Sequence, residues 1–185
     1  MKQIHVLLGA TLLFGLFSFK ADESKLITKT GHISIFSHTV AEDITANNYK
    51  VTSSFNPSTG EMVFAVPMQG FEFEKALMQK HFNSPKFLDT KQYPKAKFKG
   101  AITNMEKINI KQEGVYPVTV EGDLDLHGVT NHVVEKGEIH VKAGHITATS
   151  KFRVELADYK IAFEKGKPST NIAKEIEITL NMKYQ

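Results

Sequence analysis

Two histidines near the middle of the chain are the residues best placed for metal chemistry. His127 and His132 flank a predicted turn at Gly128. Residues that face each other across a hairpin lie about 5 Å apart, so this pair could share a divalent ion. Strand alternation favours another role, because His127 has the parity of Asp123 and Asp125 on the polar side of the strand. We therefore interpret both histidines as polar residues of an exposed rim and predict no metal site.

The rest of the sequence predicts no catalytic centre. The chain has no cysteine, which excludes a thiol nucleophile, disulfides and thiolate metal ligands. It contains no GxSxG elbow, no phosphate-binding glycine loop and no HExxH motif. We expect a binding protein rather than an enzyme, without catalytic residues or a catalytic cofactor.

The aromatic and aliphatic residues carry more information than the polar ones. Thirteen phenylalanines and no tryptophan supply apolar surface with few polar groups. Any one of these residues could be ordinary core, but together they could line a shared interior. The predicted ligand-lining residues are Phe64, Val66, Phe73, Leu77, Met78, Phe82, Phe87, Phe98, Leu124, Leu126, Phe152, Ile176, Ile178 and Leu180.

The segments that carry these residues alternate between apolar and polar positions, as β-strands with one buried face do. Alternation is clearest over 118–142, where Gly128 permits a turn between two long strands. A helical stripe of Leu77, Met78 and Phe82 predicts a short helix over 73–82. The predicted strands cover 31–38, 44–55, 61–68, 95–103, 107–112, 115–127, 131–142, 145–154 and 174–184. The fold class is therefore all-β: one antiparallel barrel of about eight strands, closed or nearly closed, with a short inserted helix.

The length of the strands bears on what the barrel holds. Strands of about twelve residues, tilted by about 40°, give a wall on the order of 30 Å high. A barrel of eight strands is either filled by its own side chains or holds one small ligand. We favour a slender apolar guest, with the helix acting as a gate or as a fixed plug. The alternative is a packed interior in a barrel that binds a protein partner through its outer face or rim.

The N-terminal residues predict export. Lys2 precedes an apolar run at 6–19 that is shorter than the roughly 20 residues of a membrane span, so we expect residues 1–21 to be a cleaved signal peptide. Residues 22–185 would form the single domain. Without Lys2 and Lys20 the formal charge falls from +3 to +1, and Arg153 is the only arginine, so we expect no nucleic-acid partner. Export without disulfides favours a bacterial periplasmic or secreted protein.

Two segments resemble the YceI-like family of secreted bacterial lipid-binding proteins. The first, 80–100, is similar to the family's helix-to-strand signature, and the second, 122–133, is similar to its G-x-L-x-L-H-G-V-T hairpin. The matching residues are Phe82, Ser84, Phe87, Leu88, Asp89, Tyr93, Pro94 and Phe98 in the first segment and Gly122, Leu124, Leu126, His127, Gly128, Val129 and Thr130 in the second.

The resemblance extends over roughly 30–184 and implies a particular function. It implies an elongated, lipocalin-like barrel with a helical flap that holds an isoprenoid chain or another long apolar lipid. It brings no catalytic residues. The expected partner is thus a hydrophobic small molecule, with transient membrane contact only for lipid exchange.

Overall fold

The structure, a computed structural model, describes residues 25–39, 42–161, 163–164, 167–168 and 173–185. The predicted signal peptide lies outside these residues. The strands are β1 (Leu26–His38), β2 (Asp43–Phe55), β3 (Glu61–Pro67), β4 (Glu72–Phe73), β5 (Lys95–Ile102), β6 (Gly114–Leu126), β7 (Val129–Lys142), β8 (His145–Glu155), β9 (Phe163–Glu164), β10 (Lys167–Pro168) and β11 (Glu175–Tyr184). One α-helix, α1 (Ala76–Asn83), and three 3-10 helices, η1 (Met68–Gly70), η2 (Met105–Lys107) and η3 (Leu156–Tyr159), complete the described elements.

Eight long strands close into an antiparallel barrel, which confirms the predicted fold class. Their order is β1-β11-β8-β7-β6-β5-β3-β2, and β2 pairs again with β1. The short β4 adds to β2, while β9 and β10 pair only with each other. Closure gives each of the eight strands a paired neighbour on both sides along at least part of its length. None of the helices in the described ranges is long and apolar enough to span a bilayer.

The turn between β6 and β7 is set by two residues of positive φ. His127 has a φ of 55° and Gly128 a φ of 74°, and Leu126 pairs directly with Val129. Two consecutive residues of positive φ form a two-residue hairpin turn whose twist matches that of the flanking strands. The sequence placed Gly128 correctly in this turn, although β7 begins two residues closer to it than predicted and β6 ends one residue earlier than predicted.

One end of the barrel is tightly packed, and we call it the closed end. Val51, Phe55, Met182 and Tyr184 are buried there. The rings of Phe55 and Tyr184 lie 5.8 Å apart, and the Tyr184 hydroxyl is 2.8 Å from that of Ser53. Burial raises the pKa of Tyr184 to about 12. The opposite end, covered by α1, η1 and η3, is called the helix-covered end.

Two predicted elements differ from the observed ones. The strand expected over 107–112 is absent: η2 and a loop occupy this part of the described chain, and Ile108 and Ile110 pack against the core from the loop. Their spacing therefore reflects burial rather than a strand. The helix begins at Ala76 rather than 73, because Phe73 pairs with Ala46 of β2 in a short strand.

Candidate ligand cavity

A cavity of about 570 Å³ occupies the barrel interior. Its size falls within the roughly 300–1,000 Å³ of small-molecule sites. All eight long strands contribute to its lining, together with α1, η1 and η3. The inward-facing side chains are almost all aliphatic, aromatic or methionine, so the cavity suits an apolar molecule.

The structure brings the predicted lining residues together, with one exception. All fourteen except Leu77 line the cavity. The Leu77 side chain is 58% exposed instead. The helical stripe was therefore assigned partly to the wrong side of α1: Met78 and Phe82 face the cavity, whereas Leu77 does not.

The rotation of α1 follows from Phe82. Its ring lies 5.5 Å from that of Phe71, 4.9 Å from Phe73 and 6.2 Å from Phe87. Met78 lies one turn before Phe82, on the same face, so the anchored ring also turns Met78 inward. These four rings form an aromatic wall at the helix-covered end.

Polar bonds fix the two ends of α1. The Gln79 side-chain oxygen accepts a hydrogen bond from the backbone N–H of Phe73 at 3.2 Å. The hydroxyl of buried Thr90 donates to the Asn83 side chain at 2.8 Å. Lys75, just before the helix, pairs with Glu42, and the hydrogen bond and charge of Glu42 raise the pKa of Lys75. α1 is therefore tied to β4 and the 84–94 segment rather than to the barrel wall alone.

The turn of the hairpin motif is fixed by bonds to η3, whereas the two leucines of the motif that precede the turn line the cavity. The Nδ1 of His127 donates to the Tyr159 carbonyl at 3.1 Å, and the Asn131 amide donates to the Asp158 carbonyl at 2.9 Å. The Tyr93 ring packs edge-on against His127 at 4.5 Å. The turn is thus bonded to η3, and this role accounts for the matched His-Gly pair without a ligand.

His132 lies on the outer face of the barrel, where its ring contacts two carboxylates. Its two ring nitrogens are 3.1 Å from the Asp123 carboxylate and 3.0 Å from the Glu121 carboxylate. These hydrogen bonds raise the pKa of His132. Across the described residues, no group of three or more His, Cys, Asp or Glu side chains is arranged to hold a metal ion.

Sequence reasoning missed several lining residues. Inward positions of β1, β2 and β6 add Ile33, Ile35, Ile44 and Val120, and the alternation of their strands was enough to find them. It also missed Glu135, which has the parity of buried Ile139 on β7 and lines the cavity. Burial raises the pKa of Glu135.

The wall next to Glu135 is incomplete. β7 pairs with β8 only from Gly137↔Ser150 to Lys142↔His145. The first eight residues of β7 pair with β6 but not with β8, so the two strands diverge toward the helix-covered end. η3 reaches β7 there through the bond from Asn131. β7 and β8 are therefore separated by a gap in their hydrogen-bonded pairing, and both strands supply cavity-lining residues beside it.

Comparison with known proteins gives a family match along most of the chain. The model of the YceI-like domain matches residues 17–184. A UPF0312 protein of Photorhabdus laumondii is 33% identical over 84 residues, which cover 45% of this chain and 40% of that relative. The matched region thus spans well under two thirds of the relative's length.

Solved structures share the fold at low sequence identity. A polyisoprenoid-binding domain from Saccharophagus degradans, described as implicated in plant cell wall breakdown, is 14% identical, with a TM-score of 0.71 over 87% of this chain and 97% of that one. BcnA of Burkholderia cenocepacia is 16% identical, with a TM-score of 0.70 over 84% and 96%. The YCEI protein of Campylobacter jejuni is 17% identical, with a TM-score of 0.61 over 80% and 88%.

Proposed function

The chain belongs to the YceI-like family, and we propose that it holds one long apolar lipid of isoprenoid type inside the barrel, for storage or transport and without chemical change. The observation that carries the proposal is the apolar cavity of about 570 Å³. The likeness of the fold to a polyisoprenoid-binding domain supports the isoprenoid class.

The lining accounts for binding without specific polar contacts along the tail. Each CH₂ group moved from water into such a cavity contributes about 0.8 kcal/mol. Met62, Met68 and Met78 are among the lining residues, and their flexible side chains adapt to the shape of a guest. A branched, bending chain is therefore a better match than a rigid planar molecule.

The alternative function required a packed interior, with a protein partner on the outer face or rim. A cavity of this size argues against that packing. The proposal further includes export to a bacterial periplasm or the exterior, as the N-terminal sequence predicts, and contact with a membrane only while lipid is exchanged.

Mass spectrometry of a solvent extract of the purified protein tests the proposal directly. We expect about one lipid per chain. Ile178→Trp would fill part of the cavity, whereas Thr179→Trp, on the exposed side of the same strand, is the matched control. Loss of lipid in the first variant but not in the second would support the proposal. A folded wild-type protein that neither carries lipid nor binds the apolar fluorophore diphenylhexatriene would overturn it.

A further inference from the structure

Glu135 is the one cavity-lining acid or base in the described residues that is neither exposed nor paired. Among the other such lining residues, His81, Lys86, Lys97, Lys136 and Glu138 are exposed. Glu42 is half-buried but bonds to Lys75. Glu135 is half-buried, and no described residue forms a hydrogen bond or ion pair with it.

Its surroundings are apolar and open to the cavity. Glu135 pairs with Val120 of β6, and Val133 precedes it on the same face of β7. Two residues further along, Gly137 adds no side chain to that face. The described residues contain no buried side-chain oxygen or nitrogen without a partner, so the carboxyl oxygens of Glu135 are not fully buried, and Glu135 is one of the residues that line the cavity.

Placing a carboxyl group in apolar surroundings costs free energy unless a hydrogen-bond donor or a cation contacts it. Replacing it with an aliphatic residue would make the lining more apolar without breaking a hydrogen bond or ion pair among the described residues. Burial raises its pKa, and its charge contributes to the raised pKa of Tyr159, after burial of that tyrosine and the charge of Asp158. Both shifts agree with a carboxyl facing a water-poor interior.

We infer that Glu135 binds the polar end of the lipid, and that this end is a hydrogen-bond donor such as a hydroxyl group rather than a phosphate or carboxylate. A carboxylate accepts hydrogen bonds from O–H groups and repels anions. No basic side chain among the described lining residues is buried beside it to offset a second negative charge. This inference rests on the proposed function and narrows it to isoprenoid alcohols and related hydroxylated lipids.

The position of Glu135 also orients the guest. It stands at the edge where β7 leaves β8, and continuing the register from Gly137↔Ser150 would place Phe152 opposite it. The polar end would therefore lie near this gap in the ladder. The tail would then extend along the apolar interior toward the aromatic wall or the closed end.

Competition binding tests the inference with three guests that share one tail. Geranylgeraniol, its methyl ether and its monophosphate would displace diphenylhexatriene from lipid-stripped protein. For the wild type we expect the alcohol to bind about tenfold more tightly than the ether, the effect of about one hydrogen bond to a charged group, and the phosphate to bind least. This order needs no variant, so it holds even if a substitution fails to fold.

Glu135→Gln removes the charge and keeps the size, and Glu106→Gln, on exposed η2, is the control for net charge. We expect Glu135→Gln to bind the phosphate about tenfold more tightly than the wild type and to prefer the alcohol over the ether less strongly. Glu106→Gln should keep the wild-type affinities. A wild type that prefers the phosphate or the ether, or the same order in wild type and Glu135→Gln, would overturn the inference while the proposed function stands. If the folded wild-type protein neither carries lipid nor binds diphenylhexatriene, both fail.

Discussion

The closed end and the helix-covered end are built by the same eight strands, yet they differ in how the interior is filled. At the closed end Phe55 and Met182 are fully buried, and Tyr184 bonds to Ser53. Toward the helix-covered end, Phe152 and Ile178 are only partly buried and border the cavity. We conclude that side chains of the strands fill the closed end, whereas the opposite end is packed in its covering elements, including α1 and η3, with a hollow interior beneath them.

The strongest test of this comparison removes one phenylalanine from each end. Phe55→Ala should lower the free energy of unfolding by about 3–5 kcal/mol, because a fully packed ring leaves a new void. Phe152→Ala should cost less than half as much, because its ring already borders empty space, but it should weaken diphenylhexatriene binding. Urea unfolding and fluorescence titration measure the two effects. Equal losses of stability would mean that the two ends are packed alike.

A second test concerns the turn that holds the helix-covered end together. Gly128→Val should destabilise the fold by roughly 1–3 kcal/mol from the positive φ alone. A further loss is expected because a Cβ there would lie 2.6 Å from the Tyr93 ring. The matched control is Gly144→Val in the turn of the closed end, where φ is 76° but a Cβ meets nothing within 4 Å.

Thermal unfolding of both variants separates strain from contact. The midpoint of Gly128→Val should fall below that of Gly144→Val, while the folded fraction of each still binds lipid. If Gly128→Val keeps the wild-type midpoint but loses lipid binding, the turn contacts the ligand and its structural role is assigned wrongly.

The sequence predicted the strands of the barrel better than the helix and the loop that join them. Alternation with a period of two identified the long strands and many of the inward residues, because each strand has one face buried in the barrel. Leu77 was placed wrongly because a helix of eight residues leaves its rotation to a single anchor, here Phe82, whose partners come from distant segments. Ile108 and Ile110 alternate like a strand but pack from a loop.

Glu135 escaped prediction for a different physical reason. Its parity was readable, but the predicted lining contains only apolar residues, so an acid at an inward position falls outside it. The ladder gap beside it depends on how β8 diverges from β7, and neither strand's own sequence encodes that divergence. Local patterns thus predicted the wall of the barrel better than its opening and better than the one half-buried, unpaired acid in the described lining.

A third test asks whether α1 is a gate or a fixed plug. Met78→Ser removes an apolar side chain from the cavity face and should accelerate release of a fluorescent polyprenyl analogue, with a stability loss of about 1 kcal/mol for a half-buried residue. Leu77→Ser, one residue away and exposed, is the control and should change stability by less than about 0.5 kcal/mol. Stopped-flow release beside unfolding midpoints distinguishes the two roles. If the folded Met78→Ser protein releases lipid at the wild-type rate, α1 is a plug.

The smallest expected effect is electrostatic and comes from His132 on the outer face of the barrel. It should change neither the packing of the closed end nor lipid release at the helix-covered end. The hydrogen bonds from Asp123 and Glu121 raise the pKa of His132, so the folded protein binds this proton more tightly than the unfolded chain does. The stabilisation is therefore complete below the unfolded pKa near 6.5 and is lost as the pH rises through the higher folded value. His132→Gln should lower the unfolding midpoint at pH 5.5 and have little effect at pH 8.5. His145→Gln, at the closed end and without an ion pair among the described residues, is the control for loss of an imidazole. A His132→Gln difference that grows with pH would contradict the sign of the linkage, and one that alters lipid release would show that the outer face is coupled to the cavity.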